Sequence, residues 1–267
     1  MSESTLPVID IDNPDYQPAA DPVEEATRLA RHAAARAPFL DEFFWAMRDK
    51  LALTSESRLL DLCSGLGGAT QWLAGEVAHI HAVDGSEALI EKARKFDNVS
   101  HRVGDVNHIA LAPKGRVDHI VVGSAIQWIM RDAMERIARN YMKPGGSIVI
   151  AESSYDTSGQ PFAEALANLE RELGRKEREI ASDGTDKLNA IRFVRRDAID
   201  ISRKASVGYH VLYADFLLHA TADFYDTPPE DSSALRKKFV DALDGHMDDG
   251  KVSVKVVNTA RIFRREN

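Results

Sequence analysis

Between residues 58 and 152 the chain alternates short apolar runs with helical runs, and this rhythm restricts its fold more than any other feature. RLLDLC (58–63), HIHAVD (79–84), VSHRVGD (99–105), VDHIVVG (117–123) and SIVIAE (147–152) have the length and composition of strands. Helices are expected at 68–76, at Ser86–Lys95 with Ser86 as its cap, and at about 131–142. Lys143-Pro144-Gly145-Gly146 reads as a turn. Five strands in series, mostly with helices between them, imply an α/β fold: a parallel sheet with helices on both faces.

The flanks are less regular. Residues 1–20, with Pro7, Pro14 and Pro18, read as an extended arm, followed by helices at about 22–36 and 38–52. In the second of these Leu40, Phe43, Phe44, Met47 and Leu51 recur at helical spacing. Beyond Glu152 the pattern predicts a long charged helix at 161–181, a strand at 197–206, helices at 213–224 and 231–246, and a last strand at 251–263. The expected organisation is an N-terminal arm with lid helices over 1–52, then one domain over 53–267 carrying a helical cap insertion at about 153–224.

The formal net charge of −8 argues against non-specific binding to nucleic acid or an anionic membrane. The first residues, MSESTLPVIDIDNPD, lack the basic and apolar regions of a secretory signal. The apolar stretch around 120–130 is interrupted by Gly123, Ser124 and Gln127. Cys63, the one cysteine, leaves no partner for an intrachain disulfide. A cytoplasmic protein acting on a small molecule, with no nucleic-acid or membrane partner, is the expectation; the oligomeric state is left open.

The first strand runs into a glycine loop, LLDLCSGLGG (59–68). A nicotinamide dinucleotide or S-adenosylmethionine would bind such a loop, beyond the carboxyl ends of the strands. The dinucleotide pattern G-x-G-x-x-G fails: counting from Gly65, Gly67 fits and Thr70 stands where the third glycine belongs. Asp61, four residues before Gly65, would face a pyrophosphate unfavourably, whereas S-adenosylmethionine carries an ammonium and a sulfonium. The second strand ends at Asp84, 19 residues after Gly65, where a carboxylate can accept from both ribose hydroxyls.

Residues 61–67, D-L-C-S-G-L-G, resemble the first motif of the class I S-adenosylmethionine-dependent methyltransferases, [DE]-x-G-x-G-x-G, with Cys63 in place of its first glycine. HAVDGSEALIEKAR, VGDVNHI, VDHIVVGSAIQWI and YMKPGGSIVIAE resemble the family's following segments in order, so the match spans about residues 56–152. The resemblance implies a Rossmann-like sheet of seven strands, six parallel and the last antiparallel. It implies cofactor contacts at Asp61, Cys63, Ser64 and Gly65, at Asp84, Gly85 and Ser86, at Asp105 and Val106 beside the adenine, and at Ser124. Tyr16 would fold over the cofactor as part of a lid. Cys63, bearing a side chain, is expected to avoid strongly positive φ.

Ser124-Ala125-Ile126-Gln127-Trp128 resembles the A-L-[HQ]-W segment of small-molecule carboxyl methyltransferases of the trans-aconitate and malonyl-carrier-protein type. By that resemblance Gln127 and Trp128 hold the acceptor, with a carboxylate oxygen favoured. The alternatives are an N- or C-methyltransferase of a secondary-metabolite pathway, a catalytically inactive cofactor-binding partner subunit, and a nicotinamide oxidoreductase. Asp61 has a second reading as an organiser of the loop backbone. A catalytic role for Cys63 would need a base that the sequence does not announce. His79 and His81 share a strand face, but no third ligand lies near them in sequence, so no metal is expected. Tyr155, His210 and His219 are candidate bases for an acceptor that must lose a proton.

Overall fold

A computed structural model describes residues 36–109, 117–172, 193–213 and 229–265. Its sheet has seven strands: β1 (Arg58–Leu62), β2 (His79–Asp84), β3 (Val99–Val103), β4 (Val117–Gly123), β5 (Met142–Asp156), β6 (Phe193–Gly208) and β7 (Lys251–Arg265), in the order β3-β2-β1-β4-β5-β7-β6. β7 runs antiparallel to both its neighbours, and the other strands are mutually parallel. The six-plus-one sheet implied by the resemblance is the one observed. β1 lies between β2 and β4, so the direction of strand addition reverses at β1 and leaves a crevice beyond its carboxyl end.

The period-2 alternation of side chains assigns each strand residue to a face. Leu60, Leu62, Ile120, Val122, Ile148 and Ile150 pack on the face covered by helix Arg131–Tyr141. Leu59, Ile80, Val121, Val149 and Ile262 pack on the other, against helix α1 (Asp41–Leu51) and the short helix α2 (Thr70–Leu73). Helix α3 (Glu87–Lys92) follows β2, and Arg131–Tyr141 is α4. Because both faces are covered, strands such as β1 read as continuous apolar runs. The apolar face predicted for α1 is buried, including Leu40 at its start. Asp41 and Glu42 open the helix, Arg48 and Lys50 close it, and each pair complements the helix dipole.

Three elements differ from the expectations. α2 covers only 70–73, because Gly67 and Gly68 precede it and Gly75 follows it. The segment Lys143–Gly146 is not a free turn but a bulge within β5, where pairing with β4 shifts between Val117 and His119. There Gly145 takes φ 74°, and a Cβ on Gly146 would lie 2.4 Å from the Asp118 carbonyl oxygen. The predicted strand at 197–206 extends over 193–208 and pairs with β7 along that length.

β6 and β7 continue past the end of β5, which stops at the Asp156–Lys255 pair. On this overhang α5 (Ala163–Glu172) and α6 (Pro229–Leu243) enclose a separate core of Phe162, Leu169, Leu212, Tyr213, Leu235, Phe239 and Leu243. The first predicted helix (22–36) falls almost wholly, and the helix at 213–224 mostly, outside the described residues. Among the described residues, no helix is long and apolar enough to cross a membrane.

Candidate functional site

The loops after β1, β2, β3 and β4 all open at the same edge of the sheet, as parallel strands require. The β1 loop turns immediately: Cys63 has φ 55°, Gly65 φ 54° and Gly67 φ 84°. Cys63, expected to avoid strongly positive φ, instead takes a left-handed turn at 55°. Its φ falls in the narrow left-handed well that a side chain without β-branching can occupy at a cost of about 1–2 kcal/mol. The Cys63 thiol is held far above its ordinary pKa, first by burial and then by the charges of Asp84, Asp61 and Asp105, with Arg36 opposing them. It is a protonated packing group, not a thiolate.

Asp84, at the end of β2, ties the loops together. One carboxylate oxygen accepts the Gly65 N–H at 2.8 Å and the other accepts the Ser86 N–H at 2.8 Å. Ser86 in turn caps α3 by accepting the Leu89 N–H, and Gly85 lies between the two. A carboxylate has about four acceptor positions, so two remain on Asp84 for further donors. Burial raises the Asp84 pKa, against the two backbone hydrogen bonds and the charge of Arg36.

Asp61 shares the strand face of Leu59, and this turns its side chain beneath the start of α2. There Thr70 Oγ1 donates to it at 2.6 Å, and the residue is only 3% exposed. Burial lifts its carboxyl from 3.8 to about 7; the Thr70 hydrogen bond opposes the rise and the charge of Asp84 adds to it. What the structure gives Asp61 is an anchoring contact to α2.

On the β3 loop, Asp105 accepts the Asn107 N–H at 2.8 Å and contacts His108 Nδ1 through its other oxygen. The Arg136 guanidinium donates to the carbonyls of Val106, Asn107 and Ile109, pinning this loop to α4. Asn107 then reaches the β4 loop: its Nδ2 donates to the Trp128 carbonyl at 3.1 Å, and its Oδ1 accepts the Met130 N–H at 2.8 Å.

On that β4 loop, Ser124 also has a left-handed φ, 51°. Its N–H donates to Ala151 O, its Oγ accepts the Ser153 N–H, and its carbonyl accepts from Arg36 Nη1 at 3.0 Å and from Gln127 Nε2 at 3.4 Å. Gln127 and Trp128 lie on a single 3-10 turn, Ile126–Trp128, and the indole is 40% exposed. Two polar atoms here are buried and without a hydrogen-bond partner among the described residues: Ser64 Oγ and Arg36 Nε.

The structure thus brings Asp61, Cys63, Ser64, Gly65, Asp84, Gly85, Ser86, Asp105, Val106 and Ser124 to one edge, with Gln127 and Trp128 beside them. Tyr16 lies outside the described residues, as does His219. The sequence reading missed Arg36, Asn107, Thr70 and Arg136. His79 Nε2 and His81 Nδ1 both meet Ser100 Oγ, at 3.0 and 2.9 Å. Among the described residues no three His, Cys, Asp or Glu side chains are grouped to hold a metal ion.

A family model described as a methyltransferase domain matches residues 59–146. A Dictyostelium discoideum protein provisionally named a methyltransferase is 32% identical over 91 residues, which is 34% of this chain and 34% of that protein. The match therefore spans about a third of that relative's length. Among solved structures, one from Anaeromyxobacter dehalogenans, provisionally named a type II methyltransferase, aligns over 86% of this chain and 97% of its own at 18% identity and a TM-score of 0.65. A methyltransferase from Thiobacillus denitrificans in complex with S-adenosyl-L-homocysteine aligns over 89% and 96% at 15% identity and a TM-score of 0.51. Strand order, the loop after β1 and the family match agree: residues 59–146 match a methyltransferase domain, and the chain has the fold of the class I S-adenosylmethionine-dependent methyltransferases.

Proposed function

We propose that this chain transfers the methyl group of S-adenosylmethionine to a small-molecule acceptor, with a carboxylate oxygen as the favoured nucleophile. The observation that carries the reading is the Asp84 carboxylate. It sits at the switch point, fixed by the Gly65 and Ser86 N–H groups, with acceptor capacity left for a ribose diol. The residues present fit the cofactor. The carboxyl groups of Asp84 and Asp105, at the ends of β2 and β3, favour a ligand that carries an ammonium and a sulfonium. Ser64 Oγ and Arg36 Nε are buried polar atoms in want of partners, and the guanidinium suits the cofactor's carboxylate. Asp105 and Val106 would meet the adenine.

The bound cofactor supplies an activated methyl group on a leaving group that needs no protonation. What this chain contributes is position. The left-handed residues Cys63 and Ser124 bend the β1 and β4 loops away from the strand ends. Asn107 holds the β4 loop against the β3 loop, fixing the acceptor side relative to the adenine side. Orientation of this kind can contribute about 7–11 kcal/mol to a two-body displacement. Gln127 and the exposed face of Trp128 would hold the acceptor. A carboxylate acceptor needs no base; a phenol or carbon acid would.

The test is transfer of labelled methyl from S-adenosylmethionine to panels of carboxylic acids, amines and phenols. Base-labile label in the carboxylic acids is expected. Label confined to amines or carbon acids would replace the oxygen preference, and absence of transfer to every panel would refute the activity.

A further inference from the structure

Asn258 is a polar residue on the inward-facing phase of β7, in line with Val252, Val254, Val256, Ala260 and Ile262, and it is fully buried. Burying an amide is unfavourable unless its hydrogen bonds are met, and here they are met by one segment and its support. Oδ1 accepts the N–H of Leu40 at 2.7 Å; Nδ2 donates to the Pro38 carbonyl at 3.1 Å and to Ser153 Oγ at 2.8 Å. Ser153 Oγ donates to the same Pro38 carbonyl at 3.0 Å. The central sheet thus grips both ends of the Pro38–Leu40 segment just before α1 begins.

Two residues upstream is Arg36. Proline stiffens the connection by fixing its own φ and restricting the residue before it. The Phe39 ring lies over Gly123, where an added Cβ would be 3.5 Å from it. With the segment held this way, Arg36 Nη1 reaches the Ser124 carbonyl at 3.0 Å, and its Nε is buried without a partner among the described residues.

We propose that Asn258 is a positioning residue for the ligand site: through Pro38 and Leu40 it sets the Arg36 guanidinium at the crevice, where Arg36 engages the carboxylate end of the ligand's amino-acid part. The proposal rests on reading the crevice as a site for S-adenosylmethionine. Asn258 itself touches no ligand. Its effect therefore falls on the part of the ligand that Arg36 meets and leaves the nucleoside part unchanged.

Titration calorimetry with two ligands tests this. S-adenosylhomocysteine has the amino-acid part; 5′-methylthioadenosine lacks it. Wild-type protein is expected to bind both. Arg36→Ala and Asn258→Leu should each weaken S-adenosylhomocysteine about tenfold or more, the range for hydrogen bonds to a charged group. Each should leave methylthioadenosine within about twofold, and the double variant should lose no more than Arg36→Ala alone, as expected for residues acting in series. Ser153→Ala, a milder change, should show the same selectivity with a smaller loss and carries the test if Asn258→Leu does not fold. Equal weakening of both ligands, or additive losses in the double variant, would overturn the positioning role. Failure of the wild-type protein to bind either ligand would instead overturn the reading of the crevice.

Discussion

Replacing Asp61 with Asn should change how the stability of the protein responds to pH. Asn keeps an acceptor for Thr70 Oγ1 and removes the titration. In the folded chain the Asp61 carboxyl has its pKa at about 7 against 3.8 for an unburied one, so between those values the folded state holds a proton that the unfolded state has released. Stability falls with rising pH wherever the native state binds more protons. The contribution is therefore full below about 3.8, shrinks through the interval, and is lost once pH has passed 7. At about 1.4 kcal/mol per pH unit within that window, wild-type protein should lose about 2–3 kcal/mol relative to Asp61→Asn between pH 5 and pH 8. The difference between the two proteins isolates this one group from every other titration. Urea unfolding at pH 5, 6, 7 and 8, extrapolated linearly to water, measures it. Parallel pH profiles for the two proteins would show that Asp61 is ionised in the folded state and would refute the reasoning.

Further outcomes follow from the same geometry. Asp84→Ala should weaken S-adenosylhomocysteine binding by about 1.5–3 kcal/mol in calorimetry, the range for hydrogen bonds to a charged group; unchanged affinity would remove Asp84 from the site. Gln127→Ala should alter acceptor kinetics and leave cofactor affinity intact, and equal loss of both would contradict its assignment. Cys63→Val should destabilise by about 1–3 kcal/mol, because a β-branched side chain is strained at a left-handed position, while Cys63→Ala should cost less; equal stabilities in urea unfolding would contradict the observed turn. Gly146→Ala should destabilise by about 1–3 kcal/mol or more, since the new methyl meets the Asp118 backbone oxygen. A neutral result would mean that the β5 bulge relaxes freely.

The parallel core was legible because each of its strands carries its signal locally. β4 spans Val117–Gly123 as its apolar run predicts, and Ser86 caps α3 as a serine before a helical run should. The glycine loop and Asp84 were legible as types and spacings. What local pattern cannot convey is which partner a polar side chain takes. Asp61 read either as a ligand contact or as an organiser of the loop backbone; the period-2 phase it shares with Leu59 turns it toward Thr70, and only the packing of α2 reveals that donor. Arg36 carried no periodic mark, and its contact with the Ser124 carbonyl, 88 residues away, leaves none either. Asn258 did leave a trace, as the one polar residue in the buried phase Val252, Val254, Val256, Asn258, Ala260, Ile262. The length of β6 was understated because its full extent comes from pairing with β7, a tertiary effect.

The most direct measurement is a crystal structure grown with S-adenosylhomocysteine. The account predicts ribose hydroxyls donating to the free acceptor positions of the Asp84 carboxylate, with the sulfur lying beside the turn at Cys63–Gly67. A nucleoside bound at any other edge of the sheet, or a ribose held without Asp84, would contradict it.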